Sequence, residues 1–275
     1  MTNERIDTCR IGKVTVGAGR LTVIAGPCMA EGLDMCLQIG ETMRDLCTRL
    51  DVGYVFKASF DKANRSSVDS YRGPGLETGL EWLATVGRKL GVPVLTDIHE
   101  PCQATPAAQA VDALQIPAFL CRQTDLLVAA GDSGCAVNIK KGQFMAPMDM
   151  SQAVRKVCST GNRNVALTER GTTFGYNRLI TDFRSVVQMQ SLAPVLMDAT
   201  HSTQEPGGLG HASGGRREFA LPLAKAALAV GADGLFVETH PDPDNARSDA
   251  ACQVPLEEMD AFLSACLRVF QAVRT

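Results

Sequence analysis

The feature that most constrains this chain is an alternation repeated eight times: a short apolar run rich in β-branched residues, a polar turn, then a stretch with helical spacing. The apolar runs fall at 21–25, 53–57, 92–96, 112–116, 136–140, 164–168, 194–198 and 234–238. The helix-like stretches fall at 34–50, 76–90, 103–110, 123–131, 149–158, 178–191, 217–230 and 256–273. Strands that are apolar on both faces and separated by helices belong to a parallel sheet, because each crossover lays a helix on a face. Eight such units without a linker or low-complexity stretch favour a closed (β/α)8 TIM barrel over an open doubly wound sheet. The length suits one barrel domain spanning 1–275. The residues before the first run, including IGKVTV (11–16), are expected to form a short β-hairpin capping the barrel bottom.

Composition narrows the partners. A formal net charge of −3 provides no basic field of the kind that holds nucleic acid or anionic lipid. With 45% apolar and 21% charged residues the chain has ample core material, which excludes a disordered polymer. No uncharged apolar run is long enough to span a bilayer, and MTNERIDTCR lacks a signal-peptide core, so a cytoplasmic location is expected. The 10 Cys show no C-x-x-C pairing, which points to reduced residues. Cys36, Cys47, Cys102, Cys121, Cys135, Cys158, Cys252 and Cys266, with Trp82 and Met43, are assigned to packing.

Chemistry in such a barrel sits at the C-terminal strand ends and in the loops that follow them. Those positions read AGPC (25–28), FKASFDKANRSS (56–67), TDIHEP (96–101), QIPAF (115–119), NIKKGQF (138–144), TERG (168–171), DATHS (198–202) and ETHPDPDNARSD (238–249). The second run and its loop supply Lys57, Lys62 and Arg65, with Ser59, Asn64, Ser66 and Ser67 interleaved. The fifth run adds Lys140 and Lys141, and the sixth adds Arg170. On one loop such a set is a solvated basic segment. Converging from three strand ends, the cations repel one another unless anions sit among them, and Lys and Arg with hydroxyls suit phosphate and carboxylate oxygens.

A second set, Cys28, His201, Glu238 and Asp249, comes from the ends of the first, seventh and eighth runs, which barrel closure makes neighbours. A thiolate, an imidazole and two carboxylates can hold a divalent Zn, Fe, Mn or Co ion. From residue types alone the alternatives stay open, since a buried Cys is commonly core and a strand-end His commonly an acid or base. The glycine-rich stretch QEPGGLGHASGG (204–215) lacks a Walker or dinucleotide signature and is either a connector or a lid over the rim. GPGLETG (73–79) opens a helix through a tight turn. His211 reads as exposed, and His99 and His240, which flank strand ends, read either as supporting groups or as direct participants in catalysis.

Taken together, AGPC, FKASFDKANRSS, SYRGPGLE, TDIHEP, QIPAFLCRQTDLL, NIKKGQF, DATHS, SGGRRE and ETHPDPDNARSD resemble 3-deoxy-D-manno-octulosonate 8-phosphate synthase from about residue 10 to the last helix. The resemblance implies a (β/α)8 barrel that condenses phosphoenolpyruvate with D-arabinose 5-phosphate and water, en route to the inner-core sugar of lipopolysaccharide. It implies a phosphoenolpyruvate pocket of Lys57, Lys62, Lys140, Arg170 and Gln115. It puts Asn64, Arg65 and Ser66 at the acceptor, the last two on its phosphate and reaching from a neighbouring subunit. Asp97 then contacts acceptor hydroxyls, Ser59 joins the substrate contacts, and Phe119 is a platform from a partner in a homotetramer. His201 is a further candidate contact for the phosphoenolpyruvate phosphate. Cys at the end of the first strand, with His201, Glu238 and Asp249 kept, implies the metal-dependent class; SDAACQ (248–253) is an uncommon context for the last ligand. KANRSS (62–67) separates the chain from the related synthase that uses erythrose 4-phosphate, which carries a Lys-Pro-Arg-Thr-Ser type motif there. That synthase, a Schiff-base aldolase using Lys57 or Lys140, and a silent phosphosugar-binding barrel are the rival readings.

Overall fold

The computed structural model describes residues 5–65, 67–173, 176–207 and 214–274. Ser66, His211 and the centre of the glycine-rich stretch, 208–213, lie outside the described residues.

The chain opens with a hairpin, β1 (Cys9–Ile11) against β2 (Val14–Val16), turning at Gly12 with φ of 54°. Seven strands follow, β3 (Thr22–Gly26), β4 (Gly53–Lys57), β5 (Val94–Asp97), β6 (Ala113–Ile116), β7 (Ala136–Lys140), β8 (Val165–Glu169) and β9 (Val195–Asp198). After a small ribbon, β10 (Gln204–Glu205) with β11 (Gly214–Gly215), come β12 (Gly234–His240) and β13 (Val254–Pro255). Strands β3 to β9 pair in parallel in sequence order, and β12 pairs with both β3 and β9, which closes an eight-stranded barrel. The helices are α1 (Leu33–Arg49), α2 (Leu76–Leu90), α3 (Ala104–Ala108), α4 (Thr124–Asp132), α5 (Met150–Cys158), α6 (Arg184–Met189), α7 (Ala220–Ala229) and α8 (Met259–Ala272). Both the barrel and the capping hairpin match the sequence expectation.

The strand residues divide into two cores because side chains alternate across a strand. Outward-facing residues such as Val23, Phe56, Leu114, Val137 and Leu167 pack against the helices. On α1 the buried Cys36, Ile39, Gly40, Met43, Leu46 and Cys47 form the apolar stripe that a helix with one covered face requires. Inward, Ile24, Val55, Leu95, Ala113, Ala136, Ala166, Leu196 and Phe236 meet Cys9, Ile11, Val14 and Val16 of the hairpin. Three of those inward positions are alanine, too small to fill a barrel axis alone, and the hairpin side chains occupy the space they leave.

Four expectations change. The helix expected at 178–191 is confined to α6, because Thr172 and Ile180 exchange backbone hydrogen bonds of 2.8 and 3.1 Å and hold the preceding segment extended. The stretch at 103–110 shortens to α3 behind a 3-10 turn, Pro101–Gln103. The eighth strand runs on to His240 and pairs with β13, which draws the loop carrying Asp249 back onto the barrel. Cys102 is exposed rather than packed, and Cys135 and Cys158 are half-buried; all ten cysteines are free. No helix among the described residues is long and apolar enough to cross a membrane.

Candidate active site

The C-terminal end of β4 meets that of β3 closely: a Cβ at Gly26 would lie 2.0 Å from the Lys57 carbonyl oxygen, so only glycine allows this approach. Lys57, at the end of β4, points into the barrel and donates to Glu238 Oε1 at 2.8 Å and to the Cys28 carbonyl at 3.0 Å. Lys140, at the end of β7, donates to Asp198. The two ammonium groups stand over one ring, 5.3 and 3.2 Å from the Phe236 centroid, so Phe236 is an apolar floor on which both cations converge. Arg170 follows β8 and is buried, with its Nη1 unpartnered. A buried guanidinium nitrogen without an acceptor is an uncompensated donor, and an anion is what it lacks.

Around the wall runs a belt of side-chain hydrogen bonds. Ser59 donates to Asp97 Oδ2 at 2.5 Å, and Gln115 Nε2 to Asp97 Oδ1 at 3.1 Å. Asn138 Nδ2 then donates to Gln115 Oε1 at 2.9 Å, and Thr168 to Asn138 Oδ1 at 2.7 Å. Each amide in this belt has one orientation, because its oxygen and nitrogen face fixed donors and acceptors. Asp97 is held well below the usual carboxylate range: burial opposes its charge, but Lys57 and Lys62 outweigh burial. Lys62 is half-buried, and although burial works against its ammonium, Cys28, Glu238, Asp97 and Asp249 hold it above its ordinary value.

Cys28 Sγ and one carboxylate oxygen each of Glu238 and Asp249 lie within 4.8 Å of one another. His201 Nε2 is 3.4 Å from Asp249 Oδ2 and 3.8 Å from Glu238 Oε1. The opposite nitrogen, Nδ1, lies 2.8 Å from Asp198 Oδ2, which fixes the ring with Nε2 turned to the cluster. Asp249 adopts φ of 47°, a left-handed conformation that aspartate tolerates better than most residues. Burial, then Asp249 and Glu238, push the Cys28 thiol up, so a thiolate here requires added positive charge. Glu238 Oε2 is buried without a partner. The donor set and this orphan oxygen fit a divalent cation.

Of the residues singled out from sequence, Cys28, Lys57, Lys62, Lys140, Arg170, His201, Glu238 and Asp249 gather at one mouth, with Ser59, Asp97 and Gln115 on its wall. Asn64 is exposed, and Phe119 is 47% exposed beyond β6. Arg65 donates to the carbonyls of Tyr71, at 3.1 Å, and Arg247, at 2.8 Å, which holds it at the rim of its own barrel. Lys141 does not join the set: it turns away to Glu169 at 3.6 Å. His240 accepts the Asp242 N–H, and His99 stands edge-on to Phe60, so neither enters the cluster. Sequence reasoning missed Asn138, Thr168 and the anchoring role of Asp198, all legible as inward polar residues only once strand register is known.

Burial pulls Lys140 down to about 8, with Asp198 opposing the fall. An anion bound beside Lys140 requires its proton. We therefore expect kcat/KM for the anionic substrate to decline as pH rises through about 8, checked by a pH-rate profile; a flat profile to pH 9.5 would remove Lys140 from anion binding.

The chain matches the DAHP synthetase I family over residues 2–275. It is 53% identical to a protein of Syntrophotalea carbinolica over 270 residues, 98% of each chain. It is 52% identical over 275 residues to one of Desulfatibacillum aliphaticivorans, covering 99% of each. With a Cyanothece protein it shares 53% identity over 262 residues, 94% of this chain and 96% of the relative. All three relatives are named 2-dehydro-3-deoxyphosphooctonate aldolase.

Proposed function

The chain belongs to the DAHP synthetase I family, and from that premise we propose that it condenses phosphoenolpyruvate with D-arabinose 5-phosphate and water to give 3-deoxy-D-manno-octulosonate 8-phosphate and inorganic phosphate. The observation that carries this reading is the convergence of Lys57 and Lys140 over Phe236 beside a buried Arg170 with an unpartnered nitrogen. Such a mouth holds a small, multiply charged anion at a fixed depth.

Lys57, Lys62, Lys140 and Arg170 bind the phosphate and carboxylate of phosphoenolpyruvate, and Gln115 faces it from the belt. Asn64, Arg65 and Ser66 take the phosphate end of the acceptor, while Ser59 and Asp97 address its hydroxyls. The two reactants repel in water; the cations cancel that repulsion, and fixing both partners contributes on the order of 7–11 kcal/mol through lost translational freedom. C3 of the enol phosphate then attacks the aldehyde carbon, whose oxygen takes up a proton. Water adds at C2, and the resulting hemiketal phosphate expels inorganic phosphate by C–O cleavage. Positive charge developing at C2 lies near the substrate's own carboxylate and phosphate. Asp198, which holds both Lys140 and His201, keeps the phosphate-binding cation and the imidazole in register.

Cys28, His201, Glu238 and Asp249 would hold a divalent Zn, Fe, Mn or Co ion, which supplies Lewis acidity toward the acceptor's aldehyde oxygen or the attacking water. The protein works as a homotetramer in which Phe119 extends toward a neighbouring copy's site, a state that light scattering measures.

The deciding assay is phosphate release from phosphoenolpyruvate, with arabinose 5-phosphate or erythrose 4-phosphate, with and without chelator. Release with the five-carbon sugar alone supports the reading. Preference for erythrose 4-phosphate, or no release with either, overturns it. Arg65→Ala should raise the KM for arabinose 5-phosphate about ten- to a hundredfold, the effect of losing a charge-assisted contact. The KM for phosphoenolpyruvate should stay near wild type, and an unchanged acceptor KM removes Arg65 from the site.

A further inference from the structure

Gln204 stands between the two halves of this site. Arg170 Nη2 donates to Gln204 Oε1 at 2.7 Å, and Gln204 Nε2 donates to Asp249 Oδ1 at 3.0 Å. Arg170 can only donate and an ionised Asp249 can only accept, so the bridge needs a neutral group with an acceptor at one end and a donor at the other. A carboxamide is such a group; Glu lacks the donor and Lys the acceptor.

The backbone fixes where this amide sits. Gln204 directly follows the turn His201–Thr203, so it is one residue beyond the segment that presents the imidazole. It also opens β10 and pairs with Gly215 of β11. Its side chain is half-buried and spans from the loop after β8 to the loop after β12. The bridge leaves Arg170 Nη1 and Asp249 Oδ2 for other partners: the first is unpartnered, and the second faces Cys28 Sγ at 3.2 Å and His201.

We propose that Gln204 is a positioning residue that orients Arg170 toward the anion of phosphoenolpyruvate and Asp249 toward the metal, and so ties the geometry of the two sites together. This rests on the function proposed above, and the wild-type phosphate-release assay tests that function separately. Gln204→Met keeps the length and volume of the side chain and removes both hydrogen bonds, so it should fold, with a modest loss of stability from the Arg170 nitrogen left without an acceptor.

Two readouts decide. The first is Co2+ affinity, followed by thiolate-to-cobalt absorption without substrate. The second is the KM for each substrate. In Gln204→Met the Co2+ dissociation constant and the phosphoenolpyruvate KM should each rise about tenfold, as expected for hydrogen bonds to charged partners, while the arabinose 5-phosphate KM stays within about twofold. Gln204→Glu retains an acceptor for Arg170 but sets a carboxylate against Asp249, so its phosphoenolpyruvate KM should fall below that of Gln204→Met without reaching the wild-type value. If Gln204→Met alters only one of the two sites, or neither, the bridge is refuted. A phosphoenolpyruvate KM in Gln204→Glu as poor as in Gln204→Met refutes the orientation of Arg170. If wild type binds Co2+ but releases no phosphate, the functional reading has failed, whereas the cobalt titration still reports on Asp249.

Discussion

Cys28→Ala is expected to lose bound divalent metal and about a thousandfold in kcat/KM together, the scale of several kcal/mol of lost Lewis-acid stabilisation. The side chain is buried and lies 3.0 Å from Ser248 Oγ and 3.2 Å from Asp249 Oδ2, so no other soft donor among the described residues can replace it in that cluster. Removing a small buried side chain costs little packing, and the variant should remain folded. Metal content of the purified protein and phosphate release, measured on one preparation, check the expectation. Normal turnover of the wild type in excess chelator would sink the metal assignment. Cys28→Asn is the companion variant: a neutral amide at the same strand end should restore part of the turnover without metal, and a folded but wholly inactive protein counts against that.

Asp198→Asn is expected to loosen both side chains that Asp198 holds, the Lys140 ammonium and the His201 imidazole. Asp198 is fully buried at the end of β9 and is approached by Lys140, by His201 Nδ1 at 2.8 Å, and by the backbone N–H groups of Thr200 at 3.1 Å and His201 at 2.8 Å. The amide oxygen can still accept from the backbone, so the change isolates the charge. Leaving the buried Lys140 ammonium without its counter-ion should cost about 3 kcal/mol of stability near neutral pH. Burial already places the folded Lys140 below its value in the unfolded chain, so the unfolded chain holds an extra proton between the two values. Losing Asp198 lowers the folded value further. The variant's deficit should therefore be largest below about pH 8 and shrink above it, where the wild-type ammonium is also losing its proton. Urea unfolding at pH 7 and 9 measures this, and an equal deficit at both values would show that Lys140 is not the group affected. The alkaline fall in activity should move to lower pH as well.

The barrel was legible because its signal is repeated: each apolar run is flanked by turn residues and helical spacing, and barrel closure makes the first and last runs neighbours. The rim residues were legible for the same reason, since strand ends are defined once strands are. What the sequence could not display is which way a side chain turns beyond the strand end. Lys140 and Lys141 look equivalent on paper, yet one stands over Phe236 and the other pairs with Glu169 outside the axis. Asn138 and Thr168 are ordinary polar residues in apolar runs, and only register reveals that they hydrogen-bond in line with Gln115 and Asp97. The shortened α6 was hidden because helical spacing in 178–183 competes with backbone pairing to Thr172, a contact no local pattern records.

The hairpin at the barrel bottom has a bearing on traffic. Ile11, Val14 and Val16 pack the axis beneath Phe236 with apolar side chains, so the bottom of the barrel is solid. Charged reactants therefore approach Lys57 and Lys140 from the strand C-termini, and products depart toward that same face.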